Sequence, residues 1–213
     1  MNEIVIVSGN IGSGKTTLIE MLSQKMGWKP HYEFVNNNPY LPQFYEDMKR
    51  WAFNLEIFFL TCRVKQYQKM MQEDGVCLAD RVVYEGRYVF TENLLRCGVL
   101  SETDFKTYLD LYEALIENLR NPTLVVYLKT KTETSVTRIL QRGREWEQNI
   151  SINYLKQLNL LYREYVEKIA DLCPVVTIEA DNMDVISNQQ QLDEIAGTIQ
   201  DHLQPRLDIR YRA

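Results

Sequence analysis

The stretch Gly9-Asn10-Ile11-Gly12-Ser13-Gly14-Lys15-Thr16 decides how this chain folds and which kind of ligand it can hold. It fits GxxxxGK[ST] at every fixed position, and it joins the apolar segment Glu3–Val7 to the helical pattern Thr16–Met26. Glycines let successive backbone N–H groups face an anion, and the following helix adds the positive end of its dipole. A phosphate-binding loop (P-loop) in this context predicts a nucleoside triphosphate site.

The side chains of this loop have separate predicted tasks. Lys15 is expected to contact the β- and γ-phosphates, and the Thr16 hydroxyl is expected to bind Mg²⁺. The residues predicted to bind the nucleotide in this region are Gly9, Asn10, Ile11, Gly12, Ser13, Gly14, Lys15, Thr16 and Thr17.

Short apolar segments alternate with helical patterns along the rest of the chain. The predicted strands are Glu3–Val7, Lys29–Phe34, Val76–Asp80, Thr123–Leu128 and Pro174–Glu179. The predicted helices are Thr16–Met26, 43–71 with a break or bend near Trp51, 85–97, 102–119, Thr132–Gln141, Ile152–Leu172 and Asp193–His202. This alternation predicts an α/β fold with a five-stranded parallel sheet and helices on both faces. We expect one domain over residues 1–204, followed by a polar tail over 205–213.

Composition excludes several classes of protein. The 213 residues carry a net charge of -5, whereas a nucleic-acid binder would usually be basic. No stretch approaches the ~20 apolar residues needed to span a bilayer, and the N-terminus lacks the features of a signal peptide, so we expect a cytoplasmic protein that does not bind membranes. The four cysteines form no CxxC pair and only two histidines are present, so we expect neither a zinc site nor a disulfide framework.

Asp80 and Arg81 follow a predicted strand, at the sheet edge where open α/β sheets bind ligands. A carboxylate at Asp80 could bind Mg²⁺ or take a proton from an attacking hydroxyl, and Arg81 could stabilise a phosphoryl group. Alone, the pair could also be a surface ion pair that caps the strand. Beside a P-loop, we interpret it as functional.

Arg138, Arg142 and Arg144 form a local basic cluster in an acidic chain. Arg138 and Arg142 share a helix face, and Gly143 ends that helix. Such a cluster predicts a lid that brings cations onto the phosphates and excludes water, because guanidinium groups match phosphate in two-point contacts. A solvated helix face is the alternative.

The order and spacing of several segments identify a family. The chain resembles the deoxynucleoside kinases, specifically their bacterial deoxyadenosine/deoxyguanosine kinase branch, from about Ile4 to His202. The resemblance rests on GNIGSGKTT, the acidic residue Glu33, NPYLPQFYED-MKRWAF, DR-VVYE and RGREWE. It implies ATP and Mg²⁺ as cofactors, a small deoxynucleoside as acceptor, and a homodimer.

The resemblance also implies roles for particular residues. Asp80 is similar to the family's proton acceptor, although Glu33, which is expected to contact the 5′-hydroxyl with Arg81, could share that role. Tyr45 and Glu147 resemble the pair that holds the 3′-hydroxyl. Asp181 lies in the segment that resembles the loop over the ATP adenine. The catalytic residues implied are Asp80, Glu33, Arg81 and Lys15, with Thr16 and Asp80 at the metal.

Two positions depart from the commonest family pattern and bear on the base. Glu56 stands where a glutamine usually faces the base, and Gly86 stands where many relatives have an aspartate. An ionised carboxylate only accepts hydrogen bonds, so Glu56 suits the N1–H and N2–H₂ donors of guanine, with Arg63 donating to O6 or N7. The sequence therefore favours deoxyguanosine over deoxyadenosine. A protonated Glu56 would imitate glutamine and admit deoxyadenosine, but a cation at Arg63 argues against protonation.

Two other functions remain as alternatives at this point. A nucleoside monophosphate kinase, such as a thymidylate kinase, would need basic residues for an acceptor phosphate, whereas Glu33, Tyr45 and Glu56 would repel one. A nucleotide-binding switch that transfers no phosphate would be expected to carry further motifs, such as NKxD in a GTPase, which the sequence lacks.

Overall fold

A parallel five-stranded sheet forms the centre of the computed structural model, which describes residues 2–33, 38–144 and 150–203. The strands are β1 (Asn2–Gly9), β2 (Lys29–His31), β3 (Gly75–Asp80), β4 (Leu124–Lys129) and β5 (Val175–Glu179). Their order is β2-β3-β1-β4-β5, and all four neighbouring pairs are parallel. The predicted sheet is confirmed.

Helices cover both faces of this sheet, as predicted. They are α1 (Lys15–Met26), α2 (Leu41–Glu46), α3 (Met48–Met70), α4 (Val83–Glu85), α5 (Glu92–Arg96), α6 (Glu102–Ile116), α7 (Thr132–Arg142), α8 (Ile152–Ile169) and α9 (Gln189–Leu203), with a π-helical turn at Gly86–Thr91. One buried cluster joins the sheet to α3 and α8 through Tyr67 and Tyr162, and another joins it to α1 and α9 through Leu22 and Ile199. In the described residues, no helix is both long enough and apolar enough to cross a membrane.

The helical region after residue 43 breaks earlier than expected. The predicted bend was near Trp51, but the break falls at Asp47, whose side chain accepts a hydrogen bond from the backbone N–H of Arg50 at 3.1 Å. A carboxylate at this N-cap position satisfies a backbone donor that has no partner within the helix. α3 therefore begins at Met48, and it carries Glu56 and Arg63 along the cavity described below.

The carboxyl ends of β1 and β3 lie side by side. Val7 pairs with Asp80 in the sheet register, so the P-loop begins next to the end of β3. Gly9 has φ +150°, and a side chain there would place its Cβ 2.8 Å from the backbone oxygen of Leu128. Glycine at this position therefore allows the loop to turn close to β4. The predicted tail 205–213 lies outside the described residues.

Candidate active site

The P-loop has the geometry of an anion cradle. Gly12 and Gly14 adopt positive φ angles of 77° and 97°, which glycine accepts without steric cost. The Lys15 ammonium donates hydrogen bonds to the backbone oxygens of Gly9 (2.9 Å) and Asn10 (3.0 Å). Burial, followed by repulsion from Arg81, lowers the pKa of Lys15 to about 8. A phosphate group placed here would supply the negative charge that this buried ammonium lacks, so the loop fits a nucleoside triphosphate.

Thr16 and Asp80 meet beside the P-loop, across 64 residues of sequence. The Thr16 hydroxyl donates to Oδ2 of Asp80 at 2.6 Å, while Oδ1 of Asp80 is buried and has no hydrogen-bond partner among the described residues. Hydroxyl and carboxylate oxygens are the ligands that Mg²⁺ prefers. These two residues therefore fit the predicted metal site.

Glu33 is held by two arginines from different parts of the chain. Its Oε1 accepts from Arg63 at 2.6 Å, and its Oε2 accepts from Arg81 at 2.8 Å. Burial alone would raise the pKa of Glu33, but the charges of Arg81 and Arg63 outweigh it and lower that pKa to about 2. The predicted proximity of Glu33 to Arg81 is present, and Arg63 is an additional partner that the sequence did not indicate.

A second carboxyl group lies on the other side of Arg81. Glu85 is fully buried, accepts a hydrogen bond from the Tyr162 hydroxyl at 3.0 Å, and has Oε1 3.9 Å from Nε of Arg81. The Arg81 guanidinium also lies over the ring of Phe90, 4.2 Å from its centroid. Burial raises the pKa of Glu85. Sequence reasoning missed this residue, although it stands four positions after Arg81 in a helical segment.

Glu56 is buried, and its contacts differ from those expected. Its Oε2 accepts a hydrogen bond from the Thr91 hydroxyl at 2.5 Å. Arg63, which was expected to keep Glu56 ionised, donates to Glu33 instead, because Glu33 offers a carboxylate 30 residues away in sequence but 2.6 Å away in space. Burial raises the pKa of Glu56, and the charge of Arg63 offsets this only in part.

Gly86 leaves room for Arg63. A Cβ at Gly86 would lie 2.7 Å from Nη1 of Arg63, so the arginine occupies the space of the missing side chain. Arg87 does not fill that space; it donates to Glu92 at 3.1 Å and lies over aromatic rings. The cavity wall therefore carries the cations Arg63 and Arg81 as well as the carboxylates Glu33 and Glu56.

Arg138 engages carbonyl oxygens instead of projecting as a lid cation. It donates to the backbone oxygens of Ser13 (3.1 Å) and Ala180 (2.8 Å), and so it joins the P-loop to the segment after β5. Asp181, in that segment, accepts hydrogen bonds from the backbone N–H of Lys131 and from the Thr134 hydroxyl, both at 2.8 Å. Arg138 and Asp181 thus position the loop expected to cover adenine.

One cavity of 410 Å³ collects most of the predicted site residues. Its volume is in the range of small-molecule sites. The predicted residues that line it are Ile11, Gly12, Lys15, Thr16, Glu33, Tyr45, Glu56, Arg63, Asp80, Arg81, Arg142 and Arg144. Gly9, Asn10, Ser13, Gly14 and Thr17 belong to the loop and helix beside it, and Glu147 lies outside the described residues.

The fold and this cavity define a P-loop kinase with a small-molecule acceptor pocket. The family model described as deoxynucleoside kinase matches residues 5–204. A deoxyadenosine/deoxycytidine kinase from Bacillus subtilis (strain 168) is 33% identical, with 94% of this chain and 95% of the relative covered. A deoxyguanosine kinase from the same organism is also 33% identical, with 92% and 96% covered.

Solved structures agree with these relatives. A deoxyadenosine kinase from M. mycoides with bound dCTP superposes with a TM-score of 0.81 at 30% identity, covering 93% of this chain and 99% of the other. The same enzyme with bound dATP gives a TM-score of 0.82, with 92% and 99% covered. The chain belongs to the deoxynucleoside kinase family, whose members are phosphotransferases. The monophosphate-kinase and switch alternatives gain no support from these comparisons.

Proposed function

We propose that the chain transfers the γ-phosphoryl group of ATP to the 5′-hydroxyl of a purine deoxynucleoside, as a step of nucleotide salvage. One observation carries the proposal: the P-loop residues Lys15 and Thr16 and the acceptor-side residues Glu33, Asp80 and Arg81 face a single cavity. Donor and acceptor would therefore meet without either site moving across the protein. The relatives named deoxyadenosine/deoxycytidine kinase and deoxyguanosine kinase support a deoxynucleoside as the acceptor.

Positioning and charge neutralisation would supply most of the catalysis, as in phosphoryl transfer generally. Lys15 would hold the phosphates of ATP, and Arg81 would approach the transferring group from the acceptor side. Thr16 and Asp80 would hold Mg²⁺, which when bound neutralises charge that develops on the phosphate oxygens. Arg142 and Arg144 line the same cavity and add positive charge to its wall.

We favour Asp80 over Glu33 as the proton acceptor. Two arginines hold Glu33 and lower its pKa to about 2, so in this arrangement it is a weak base. Its two paired oxygens suit it better to orient the 5′-hydroxyl together with Arg81. The Asp80 oxygen bonded to Thr16 is the one that would hold Mg²⁺, and the second, buried oxygen, which has no partner among the described residues, is the one that would take the proton.

We propose that both purines are accepted, and that their ratio depends on the protonation of Glu56. A preference for deoxyguanosine requires an ionised Glu56, and the sequence predicts that Arg63 keeps it ionised. Arg63 is instead paired with Glu33, and burial raises the pKa of Glu56. A protonated Glu56 can donate to N1 of adenine, whereas an ionised one accepts from N1–H of guanine.

The resemblance to the family is the basis for two further parts of the proposal, a homodimer and a cytoplasmic location. Light scattering coupled to size exclusion would test the first. A mass of about twice 25.1 kDa is expected for the full chain, and a single-chain mass would remove the dimer from the proposal.

The first experiment is a steady-state assay of ADP production with ATP and Mg²⁺. Deoxyguanosine, deoxyadenosine, deoxycytidine, thymidine and dTMP would be compared as acceptors. Turnover with the two purine deoxynucleosides well above the other acceptors supports the proposal. Turnover with dTMP alone would indicate a monophosphate kinase, and hydrolysis that no acceptor stimulates would indicate a switch.

A further inference from the structure

The hydroxyl group of Thr91 lies behind the base pocket, where oxygen atoms of Glu56 and Gly86 compete for its single proton and Tyr108 is a further hydrogen-bond partner. Oε2 of Glu56 is 2.5 Å away, and the backbone oxygen of Gly86 is 3.0 Å away. A threonine hydroxyl has one proton to donate, and 2.5 Å is the distance typical of a hydroxyl bonded to a carboxylate. The proton therefore goes to Glu56.

The π-helical turn explains why Thr91 reaches this position. Gly86–Thr91 forms that turn, so Thr91 approaches the carbonyl group five residues earlier, which a regular α-helix would not bring to it. Thr91 is fully buried and does not line the cavity, whereas Glu56 does. Thr91 must therefore act on substrate through Glu56.

Because Thr91 engages Oε2, Oε1 is the oxygen with which Glu56 can meet a base. When Oε1 carries a proton it can donate to N1 of adenine, and when Glu56 is ionised the same oxygen can accept from N1–H of guanine. A hydrogen bond that Thr91 donates to Oε2 stabilises the ionised form more than the neutral form. Burial raises the pKa of Glu56, and the hydrogen bond from Thr91 lowers it.

We infer that Thr91 is a positioning residue for base specificity: it holds Glu56 by Oε2 and keeps deoxyguanosine within the substrate range of the enzyme. This inference rests on the proposed function. Without the Thr91 hydroxyl, the buried carboxyl group would be protonated more often and would suit deoxyadenosine alone.

Of the other charged groups around Glu56, some favour its ionised form and one disfavours it. Arg63 on the same helix and Arg81 after β3 favour its ionised form, and Glu33 after β2 disfavours it. Tyr108 on α6 and Tyr154 on α8 are neutral, because burial raises the pKa of each phenol. Since burial raises the pKa of Glu56, the ratio of deoxyguanosine to deoxyadenosine activity in the native enzyme should rise with pH.

The test compares Thr91→Val, which removes the hydroxyl but keeps the shape, with Thr91→Ser, which keeps the hydroxyl. For Thr91→Val we expect kcat/KM for deoxyguanosine to fall at least ~10-fold, the factor that one pKa unit carries, with deoxyadenosine little changed. Thr91→Ser should resemble the native enzyme. Thr61→Val is a matched control, because Thr61 is an exposed threonine of α3.

The Glu56→Gln background shows whether Thr91 acts through Glu56. There the ratio of the two activities should no longer depend on pH, and Thr91→Val should leave it unchanged. A folded Thr91→Val enzyme with the native ratio, or with a ratio shifted toward deoxyguanosine, overturns the inference. Absence of any purine-dependent turnover in the native enzyme would instead remove the proposed function.

Discussion

Arg63 donates a hydrogen bond to Glu33 at 2.6 Å and so connects the region proposed to bind the base to the region proposed for phosphate transfer. Arg63 comes from the middle of α3, and Glu33 follows β2. Glu56, two turns earlier on α3, lines the same cavity and accepts its hydrogen bond from Thr91. A substrate base that draws Arg63 toward itself would loosen Glu33, so base binding and chemistry share one side chain.

The first prediction concerns the loss of this arginine. Arg63→Met removes one of the two cations that lower the pKa of Glu33, so that pKa should rise toward its ordinary value. The ionised form of Glu33 is the one that accepts from Arg81. The acidic limb of the kcat–pH profile should therefore move toward pH 4.5, the ordinary pKa of a glutamate, and kcat at about pH 4.5 should fall about twofold, with a larger loss at lower pH.

Lys65→Met is the control for this substitution, since Lys65 is an exposed cation two positions away on α3. It removes the same formal charge without touching Glu33. An acidic limb that stays in place in Arg63→Met, or that moves equally in Lys65→Met, would contradict the link between Arg63 and Glu33.

The second prediction addresses the proton acceptor. Asp80→Asn keeps the shape of the side chain and the contact with Thr16 but removes the basic oxygen. We expect kcat to fall at least ~10²-fold, the usual size of a general-base contribution. Single-turnover measurement of ADP formation would separate this from slow product release. Asp74→Asn, an exposed aspartate before β3, is the control. Near-native turnover of Asp80→Asn would remove Asp80 from the proposed role.

The third prediction concerns the buried carboxyl group behind Arg81. Burial raises the pKa of Glu85 in the folded state, so its contribution to stability is present at low pH and is lost as pH rises through that pKa. Glu85→Gln does not titrate. The free energy of unfolding of Glu85→Gln, minus that of the native protein, should therefore increase between about pH 5 and about pH 8.

Urea unfolding at the two pH values would measure this difference. Glu117→Gln, at an exposed glutamate just after α6, should show no such trend. A difference for Glu85→Gln that is constant with pH would mean that Glu85 is ionised throughout, balanced by Arg81, which lies 3.9 Å away.

The fourth prediction concerns the donor side. Arg138 bonds to carbonyl oxygens on two segments, Ser13 of the P-loop and Ala180 after β5. Arg138→Lys keeps the charge but cannot span both oxygens with a planar fork. We expect KM for ATP to rise ~10-fold, as for loss of a charged hydrogen bond, with KM for the deoxynucleoside little changed. Thr137→Ala, at the exposed neighbouring position, should leave both values unchanged.

Much of the fold was predictable because the signals are local. The P-loop marks the end of one strand, and Asp80 marks the end of another. In a parallel sheet such ends meet at one edge, and the observed pairing of Val7 with Asp80 follows this rule. Four of the five predicted strands are short apolar runs bounded by turn residues, whereas β2 (Lys29–His31) is polar and pairs with β3 at the edge of the sheet.

The missed features depend on contacts between distant segments. The sequence assigned both Glu56 and Arg63 to the base, but it could not show that Arg63 would donate to Glu33. The protonation of Glu56 depends on burial, which sequence spacing does not measure. The π-helical turn that brings Thr91 to Glu56 departs from the 3.6-residue period on which the helix prediction relied.

The last prediction concerns Gly86, where the chain departs from the commonest family pattern. A Cβ added there would lie 2.7 Å from Nη1 of Arg63 and 3.5 Å from the Tyr108 hydroxyl, so Arg63 would have to move. The backbone at Gly86 has φ -50°, which any residue accepts, so the effect of a methyl group would be steric. For Gly86→Ala we expect kcat/KM for both purine deoxynucleosides to fall about 10- to 10²-fold, since displacement by about 1 Å can have that effect. KM for ATP should not change.

Gly197→Ala provides the matched control. Gly197 lies in α9, and a Cβ there would have no heavy atom within 4 Å. That substitution should stabilise the protein by ~0.5–1 kcal/mol, because alanine favours the helix, and it should leave both activities unchanged. If Gly86→Ala also leaves kcat/KM for both purine deoxynucleosides unchanged, Arg63 can leave its position near Gly86 without loss. The distance between Arg63 and Glu33 would then not limit catalysis. The low pKa of Glu33, and with it the position of the acidic limb of the kcat–pH profile, would have to be explained by Arg81 alone.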